Sequence, residues 1–219
     1  MKIKYNKNYT EKWIKNYESK KDVYRVKYLE PYFKKLILNL PEKSKILDVG
    51  CGWGTIVSFL KKSHEYVGID IAVEFFSYIK SKFKHKELIL KYGKLPDEIN
   101  ALKKGFDLVI CSMVLHTVRD LDKSIKALLS KMKTSGKVVL VDFNDSAEEM
   151  FRKSSFESIE KETKNYISGK VVLPSGIKVD AEVYFHKEVD FEKVLKKLGY
   201  DYTKKYIGPI FVTYEVYKK

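Results

Sequence analysis

From Lys45 onward, short runs of β-branched and aromatic residues alternate with segments in which apolar residues recur every three or four positions. The short runs predict strands over KILDVG, EYVGID, ELILKY, FDLVICS and KVVLVDF. The segments between them predict helices over TIVSFLKK, VEFFSYIKSKF, PDEINALKK and DLDKSIKALLSKM. This alternation predicts an α/β fold with a doubly wound, mostly parallel sheet and helices on both faces. Ligands of such sheets bind beyond the carboxyl ends of the strands.

The C-terminal segment departs from this alternation. DFEKVLKKLGY predicts a helix with Asp190 as its N-cap and Gly199 directly after its end. Two further strands, YDYTKKYI and IFVTYEVY, flank Gly208-Pro209, and we expect the last strand to be antiparallel. With the five strands before them, they complete a predicted seven-stranded sheet.

A long connection separates the KVVLVDF strand from this last helix. It has about 45 residues, where such a fold needs only a few. The connection predicts a polar helix from about Ser146 to Ile167, followed by a hairpin that turns at Pro174-Ser175-Gly176. We therefore interpret residues 144–188 as a helix-hairpin insertion before the last helix, and as a candidate lid over the functional edge of the sheet.

Residues 1–44 predict a separate helical cap in front of the main domain, which spans 45–219. In its first helix, aromatic residues recur every four positions: Tyr5, Tyr9, Trp13 and Tyr17. A second apolar stripe, from Val26 to Leu40, is interrupted at Pro31. Stripes of this kind are typical of helix packing. The alternative is an aromatic cover over a cationic ligand.

Composition limits the class of protein. The chain has 219 residues, of which 44% are hydrophobic, enough for one well-buried domain with an embedded cap. No apolar run approaches the ~18 residues that span a bilayer, and MKIKYNKNYT has no apolar signal-peptide core, so we predict a cytoplasmic protein. Cys51 and Cys111 form no CxxC pair, and the four histidines are scattered, so the sequence indicates neither a disulfide framework nor a metal site.

A net charge of +14 raises the question of a nucleic-acid partner, because clustered cations bind phosphates by releasing counterions. Only three of the 43 basic residues are arginine, and lysines are interleaved with glutamates along the predicted helices. That pattern is more typical of a solvated lysine surface. A polyanion-binding surface remains the alternative.

The stretch KILDVGCGWGT ends the first predicted strand in a glycine-rich loop. Glycines allow a positive φ and let a ligand approach the main chain. A dinucleotide-binding loop that began at Gly50 would have its third glycine at position 55, where this chain has Thr55. The third glycine instead comes one residue earlier, at Gly54, and an acid, Asp48, precedes Gly50 by two residues.

The segment from Asp48 to Gly54 resembles the first motif of class I S-adenosylmethionine-dependent methyltransferases. Asp70 ends the second predicted strand, where that family places an acid on the ribose hydroxyls. FDLVICSMVLH resembles the family's fourth strand, and LLSKMKTSGKVVLVDF resembles the helix, turn and fifth strand that follow it. The closing helix and strand pair match the family's antiparallel seventh strand. The resemblance is closest to the type 11, UbiE-like branch, which modifies small molecules and some tRNAs.

The resemblance implies S-adenosylmethionine as the cofactor and three groups of residues that bind it. The first group forms the loop under the methionyl moiety: Asp48, Gly50, Cys51, Gly52 and Gly54. The second group would hold the ribose and adenine: Asp70, Ile71, Tyr92 and Gly93. The third group would line the other side of the cofactor: Cys111, Ser112 and Met113. The family often has an acid at the position of Lys94, and this departure bears on the adenine contact.

His116, just beyond the fourth predicted strand, is the candidate catalytic residue, because an imidazole can act as a general base near neutral pH. A packed or loop-fixing histidine is the alternative. A cytosine-5 methyltransferase would have proline before its nucleophilic cysteine, whereas Ile110 precedes Cys111. The segment after the fourth strand also lacks the Asn/Asp-Pro-Pro-aromatic signature of enzymes that methylate exocyclic base amines.

These observations predict an enzyme that transfers a methyl group from S-adenosylmethionine to a small-molecule acceptor. Transfer from an activated sulfonium depends mainly on alignment and on exclusion of water, and it needs a base only if the acceptor must lose a proton. Two alternatives stay open. The first is methylation of RNA, with tRNA as the first candidate, which the net charge suggests. The second is a non-catalytic methyltransferase-like partner protein. No membrane partner is expected.

Overall fold

The computed structural model describes residues 5–84 and 86–219, and a seven-stranded sheet lies at its centre. His85 lies outside the described residues. Five strands precede the insertion: β1 (Lys45–Val49), β2 (Glu65–Asp70), β3 (Ile89–Tyr92), β4 (Phe106–Ser112) and β5 (Met132–Phe143). The insertion contains β6 (Phe156–Thr163), β7 (Tyr166–Val172) and β8 (Lys178–Tyr184), and β9 (Tyr200–Ile207) and β10 (Phe211–Lys218) close the chain.

The order of the strands in the central sheet is β3-β2-β1-β4-β5-β10-β9. The five strands from β3 to β5 in this order are parallel to one another. Strand β10 runs antiparallel to both β5 and β9. The predicted seven-stranded, mostly parallel sheet is therefore confirmed. The strand order reverses between β1 and β4, and this switch point is where ligands of doubly wound sheets bind.

Helices flank the sheet, and short turns connect them to it. The helices are α1 (Lys7–Glu18), α2 (Glu30–Leu38), α3 (Phe75–Lys82), α4 (Asp97–Asn100), α5 (Leu121–Leu129), α6 (Asp145–Met150) and α7 (Glu188–Lys197). Arg25–Leu29 and Phe151–Ser155 are π-helical, and Ile56–Phe59 and Leu115–Thr117 are 3₁₀ turns. Among the described residues, no helix combines the length and the apolar character needed to cross a bilayer.

Alternate residues of the central strands pack against helices on opposite faces of the sheet. Leu47 and Val109 share a cluster with residues of α5 and α7. Their neighbours Ile46 and Ile110 share a second cluster with residues of α2 and α3. Side chains of successive strand residues point to opposite faces, so this division confirms a sheet covered on both sides. Because α2 contributes to the same core as β1, this helix packs directly on the sheet.

Two of the predicted helices are much shorter in the structure. TIVSFLKK forms only the 3₁₀ turn Ile56–Phe59, and PDEINALKK forms only α4. Ile56 and Val57 are β-branched residues, whose restricted side chains lower helix propensity. Both are buried under α2 and the loop before them. A short apolar turn is sufficient to cover this part of the core.

The insertion is a three-stranded antiparallel sheet, β6-β7-β8, preceded by the short α6. The predicted helix from Ser146 to Ile167 is therefore wrong beyond its first turns, because Phe156–Thr163 is strand β6. Its glutamates and lysines favour a helix in isolation, but pairing with β7, from Phe156 with Val171 to Thr163 with Tyr166, decides the outcome. The predicted hairpin that follows is confirmed as β7 and β8.

The caps of α7 differ in part from the prediction. The helix begins at Glu188 after the N-cap residue Lys187, so the prediction that Asp190 is the N-cap is wrong. Asp190 lies one turn further on, where its Oδ2 accepts a hydrogen bond from the backbone N–H of Lys187 at 3.0 Å. This arrangement is the acidic half of a capping box. Gly199 has φ of +76° directly after the C-cap Leu198, as predicted.

Candidate active site

The glycine loop follows β1 at the switch point of the sheet. Gly50, Gly52 and Gly54 all have positive φ, at +79°, +47° and +84°. A Cβ at Gly50 would lie 2.0 Å from Cγ2 of Val114, whereas a Cβ at Gly52 would meet nothing within 4 Å. Gly50 is therefore required by packing inside the protein, and Gly52 borders open space. A loop whose glycine leaves open space beside the main chain fits a ligand that lies against that main chain.

The loop is tied to the end of β2 by hydrogen bonds. Oδ2 of Asp70 accepts from the N–H of Gly52 at 2.8 Å, and its Oδ1 accepts from the N–H of Ala72 at 2.8 Å. The carbonyl of Ile69 accepts from the N–H of Gly50 at 2.7 Å. Burial raises the pKa of Asp70. Each carboxylate oxygen can accept two hydrogen bonds, so Asp70 can still accept from the hydroxyls of a ligand.

Asp48 is buried beneath this loop, with 3% of its surface exposed. The hydroxyl of Tyr66 donates to its Oδ2 at 2.8 Å. Burial raises the pKa of Asp48 to about 7, and the charge of Asp70 adds to this rise while the hydrogen bond from Tyr66 opposes it. The carboxyl group therefore titrates near neutral pH, and a cation bound nearby would favour its ionised form. Tyr66 lies within the predicted strand EYVGID and was not among the predicted site residues.

The residues predicted for the ribose and adenine lie together at the ends of β2 and β3. Tyr92 pairs in register with Asp70, and about half of its surface is exposed. The N–H of Gly93 donates to the carbonyl of Asp70 at 3.2 Å, and a Cβ at Gly93 would lie 2.6 Å from Cγ2 of Ile69. Ile71 follows Asp70 directly. This group is thus brought next to the glycine loop.

The residues predicted for the other side of the cofactor fall into two kinds. Cys111 is fully buried in the core, and so is nearly all of Cys51, which was predicted for the glycine loop; burial raises the pKa of both thiols well above the usual value. Their side chains therefore act as packing groups. Ser112 and Met113 are half-buried, and Met113 has φ of +58° at the end of β4. A left-handed conformation costs about 1–2 kcal/mol for such a residue, and strain of this kind clusters at functional sites.

His116 is held by a buried carboxylate at the end of the neighbouring strand. Its Nδ1 lies 2.8 Å from Oδ1 of Asp142, and its backbone N–H donates to Oδ2 of Asp142 at 2.9 Å. Asp142 is 4% exposed, and the ring of Phe143 packs 5.0 Å from the imidazole. Because a carboxylate accepts, Nδ1 carries the proton and Nε2 is the basic nitrogen. Asp142 was not predicted, although it is the one acid in KVVLVDF and lies one residue before the end of β5.

A small cavity lies beside this histidine, under the insertion. Its volume is about 20 Å³, and His116, Asp142, Phe151 and Phe185 are among its lining residues. A space of this size holds about one water molecule. Phe151 follows α6, and Phe185 follows β8, so the insertion closes the cavity.

The N-terminal helix α1 covers the glycine loop. Trp53 of the loop packs against Trp13, with ring centres 6.1 Å apart, and against Tyr17 at 5.1 Å. Burial, then the charges of Glu182 and Asp70, raises the pKa of Tyr5 to about 12. The aromatic stripe thus packs a helix, as predicted, and does so over the candidate cofactor site.

The same helix contacts the insertion. Tyr9 and Trp13 pack against the apolar cluster Val171, Leu173 and Val179. Oδ1 of the buried Asn16 accepts from the N–H of Ser175 at 3.1 Å, and Nζ of Lys12 donates to the carbonyl of Lys178 at 3.1 Å. Helix α1 therefore bridges the glycine loop and the insertion.

Comparison with known proteins bears on this site. A family model described as a methyltransferase domain matches residues 22–204. YqeM of Bacillus subtilis (strain 168) is named provisionally as a methyltransferase and is 32% identical to this chain over 125 residues. The match covers 54% of this chain and 50% of that protein. The chain thus spans about half the length of this curated relative.

Solved structures share the fold over most of the chain. Magnesium protoporphyrin IX methyltransferase (ChlM) from Synechocystis PCC 6803, solved with bound SAH, superposes with a TM-score of 0.69 at 16% identity and covers 98% of this chain and 96% of that one. The PH0226 protein from Pyrococcus horikoshii OT3 gives a TM-score of 0.66 at 21% identity, with 89% and 90% covered. The family model matches most of the chain, and the chain therefore belongs to the methyltransferase-domain family, with the fold of the class I S-adenosylmethionine-dependent enzymes.

Proposed function

We propose that this chain transfers the methyl group of S-adenosylmethionine to a small-molecule acceptor that gives up a proton to His116. The observation that carries the proposal is a direct contact between the two halves of the site. The side chain of Val114, two residues before His116, occupies the space that a Cβ at Gly50 would need. The candidate base therefore lies in a segment that touches the candidate cofactor loop.

The residues present fit the cofactor. Gly52 leaves open space along the loop, and the buried Asp70 retains capacity to accept hydrogen bonds. Asp48 titrates near neutral pH and so can be ionised beside a cation. When bound, S-adenosylmethionine supplies a methyl group on a positively charged sulfur. Gly50, Gly52 and Gly54 would hold its methionyl part, and the group at the ends of β2 and β3 would hold the ribose and adenine.

His116 is the proposed catalytic base. Its Nε2 would accept a proton from an O–H, N–H or acidic C–H group as the new bond to the methyl carbon forms and the bond from that carbon to sulfur breaks. Asp142 is the positioning residue, because it fixes the orientation and tautomer of the ring and would stabilise the imidazolium that results. Loss of the proton prevents the methylated acceptor from keeping a positive charge.

The cavity beside His116 is narrow and lies under the insertion, which supports a small acceptor over an RNA strand. In this proposal residues 45–219 bind cofactor and acceptor, residues 1–44 cap the cofactor, and residues 144–188 are the lid. A cytoplasmic location remains our prediction, and the two free, buried cysteines are compatible with a reducing compartment.

The decisive experiment is calorimetric titration of the protein with S-adenosylmethionine and S-adenosylhomocysteine. Wild-type protein should bind both, and Asp70→Asn should weaken binding about tenfold or more, because a charged hydrogen-bond acceptor is lost. Asp201→Asn makes the same chemical change at an exposed position on β9 and should leave affinity unchanged. Absence of binding to the wild-type protein would refute the proposal. Transfer of isotopically labelled methyl to a panel of acids, alcohols and amines would then identify the acceptor.

A further inference from the structure

One arginine differs from the other two in its surroundings. Arg25 pairs with Glu30 and donates to the carbonyl of Tyr17 at 3.1 Å, and Arg152 donates to Glu148 Oε1 at 3.0 Å. Within residues 5–84 and 86–219, the guanidinium of Arg119 makes neither a hydrogen bond nor an ion pair. Arg119 is also exposed. A planar group with five donors is thus presented without a hydrogen-bond or ion-pair partner among the described residues, in a chain whose basic residues are mostly lysine.

Two clefts meet at Arg119. One, of about 770 Å³, lies between α5 and α7 and is lined also by Lys193 and Lys197. The other, of about 530 Å³, runs along the lid past Tyr166 and Tyr184. Arg119 and His186 line both clefts. Each of the two volumes suits a small organic ligand.

The carboxylates that line these clefts already have hydrogen-bond or ion-pair partners. Asp120 accepts from the N–H of Lys123 at 3.0 Å and also pairs with its ammonium group. Asp122 pairs with Lys197 at 3.1 Å. Asp190 accepts from the backbone N–H of Lys187 in the cap of α7. None of these carboxylates bonds to Arg119, so its donors are available to an anion from outside.

His186 adds a second polar group and a planar wall. Its Nε2 lies 2.7 Å from the carbonyl of Val118, so Nε2 carries the proton and Nδ1 is left as an acceptor. Its ring is nearly parallel to that of Tyr184, with centres 6.4 Å apart. His186 and Phe185 also line the cavity that contains His116. The clefts at Arg119 therefore adjoin the proposed methyl-transfer site.

We propose that Arg119 binds a carboxylate or phosphate group of the methyl acceptor, so that the acceptor is an anionic small molecule. This inference rests on the proposed function, because it names the chemical class that the same site would take. A guanidinium binds either oxyanion through two parallel hydrogen bonds. Bound in this way, the acid group would stay in the open cleft while the rest of the molecule extends past His186 towards His116.

The test uses the small number of arginines. With three arginines in the chain, the Nε–H signals in a ¹H–¹⁵N spectrum are few, and Arg119→Lys identifies the one of interest. Inorganic phosphate and malonate are titrated separately at constant ionic strength with chloride. The Arg119 signal should shift saturably with at least one of them, while the signals of Arg25 and Arg152 should not. The anion that binds more tightly tells a phosphate acceptor from a carboxylate acceptor.

Two variants separate the site from general surface charge. Arg119→Gln should weaken binding of the better anion at least about tenfold. Lys196→Gln removes one charge from the exposed face of α7 outside the clefts and should leave binding within about twofold. The proposal is overturned if neither anion shifts the signal saturably, if both variants have equal effects, or if a short RNA shifts it at lower concentration and with steep salt dependence.

The two proposals fail in different ways. Calorimetric titration with S-adenosylhomocysteine on the same samples reports the cofactor half alone. Binding of that ligand without an Arg119 shift refutes the anionic acceptor only. A shift at Arg119 without binding of that ligand refutes the proposed function, and with it the identification of the bound anion as part of a methyl acceptor.

Discussion

The two halves of the carboxyl edge of the sheet are held together by different kinds of contact. At the ends of β1 and β2, the contacts run through the main chain: the N–H of Gly52 donates to Asp70, and the N–H of Gly50 donates to Ile69. At the ends of β4 and β5, the central contact joins two side chains, His116 and Asp142, and the insertion covers it. The first half is shaped by backbone, and the second by side chains.

This difference decides how well each half of the site can be predicted from the sequence. Close contact with the main chain and positive φ both require glycine, so the first half leaves a compact motif within seven residues. The pair His116 and Asp142 lies 26 positions apart, and nothing in its spacing distinguishes it from scattered polar residues. The donor of the methyl group can therefore be inferred from a motif, whereas the acceptor side needs coordinates.

The largest effect is expected at the side-chain half. His116→Gln should lower the rate of methyl transfer about 10²–10⁴-fold, because the proton acceptor is lost. Binding of S-adenosylhomocysteine should stay within about twofold, because the main-chain half is untouched. Rates with labelled methyl and calorimetric titration measure the two quantities. The matched control is Thr117→Ser, at the next position. A His116→Gln variant with a normal rate would show that this histidine only fixes the loop.

At the main-chain half, two glycines should respond differently to the same change. Gly50→Ala should lower the free energy of unfolding by about 3 kcal/mol, because backbone strain adds to the clash with Val114. Gly52→Ala should cost about 1 kcal/mol from strain alone. It should nevertheless weaken binding of S-adenosylhomocysteine about tenfold or more, because its methyl group enters the open face of the loop. Urea unfolding and calorimetry compare the two variants, and equal losses of stability would contradict the assigned packing.

A pH dependence should also belong to the main-chain half. The pKa of Asp48 is raised to about 7, so between its ordinary range near pH 4 and pH 7 the folded protein holds a proton that the unfolded chain releases. The free energy of unfolding should therefore fall as pH rises through this window, by at most about 1.4 kcal/mol per pH unit, and then level off. Asp48→Asn should flatten the curve in urea unfolding. Glu65→Gln, exposed on β2, is the control, and identical curves for Asp48→Asn and wild type would exclude this source.

The smallest effect should appear where α1 joins the two halves. Asn16→Ala removes the side chain that accepts from the N–H of Ser175, and should lower the free energy of unfolding by about 1 kcal/mol. Hydrogen exchange at the Ser175 amide should become faster. Asn8→Ala, on the exposed face of the same helix, should change neither quantity. Unchanged exchange in Asn16→Ala would mean that this hydrogen bond does not hold the lid.

The central strands β1 and β4 were predictable because they are buried on both faces and so appear as near-continuous apolar runs. Strand β6 was not predictable, because it is exposed along most of its length and carries three glutamates and one lysine. Its pairing with β7 is a tertiary effect. The two-residue connection Lys164-Asn165 before Tyr166 was an available signal, because asparagine favours tight turns. Tyr66 and Trp53 act through neighbours that are distant in sequence, and spacing alone cannot reveal them.

The bridge formed by α1 has a consequence for the order of events in turnover. The helix lies over the glycine loop through Trp13 and Tyr17, and it is bonded to the lid through Asn16. If residues 144–188 act as the proposed lid, a displacement that admits an acceptor would pull on the cover of the cofactor as well. Both spent cofactor and methylated product would then leave during one opening, and steady-state rates would report that single exit step instead of two independent ones.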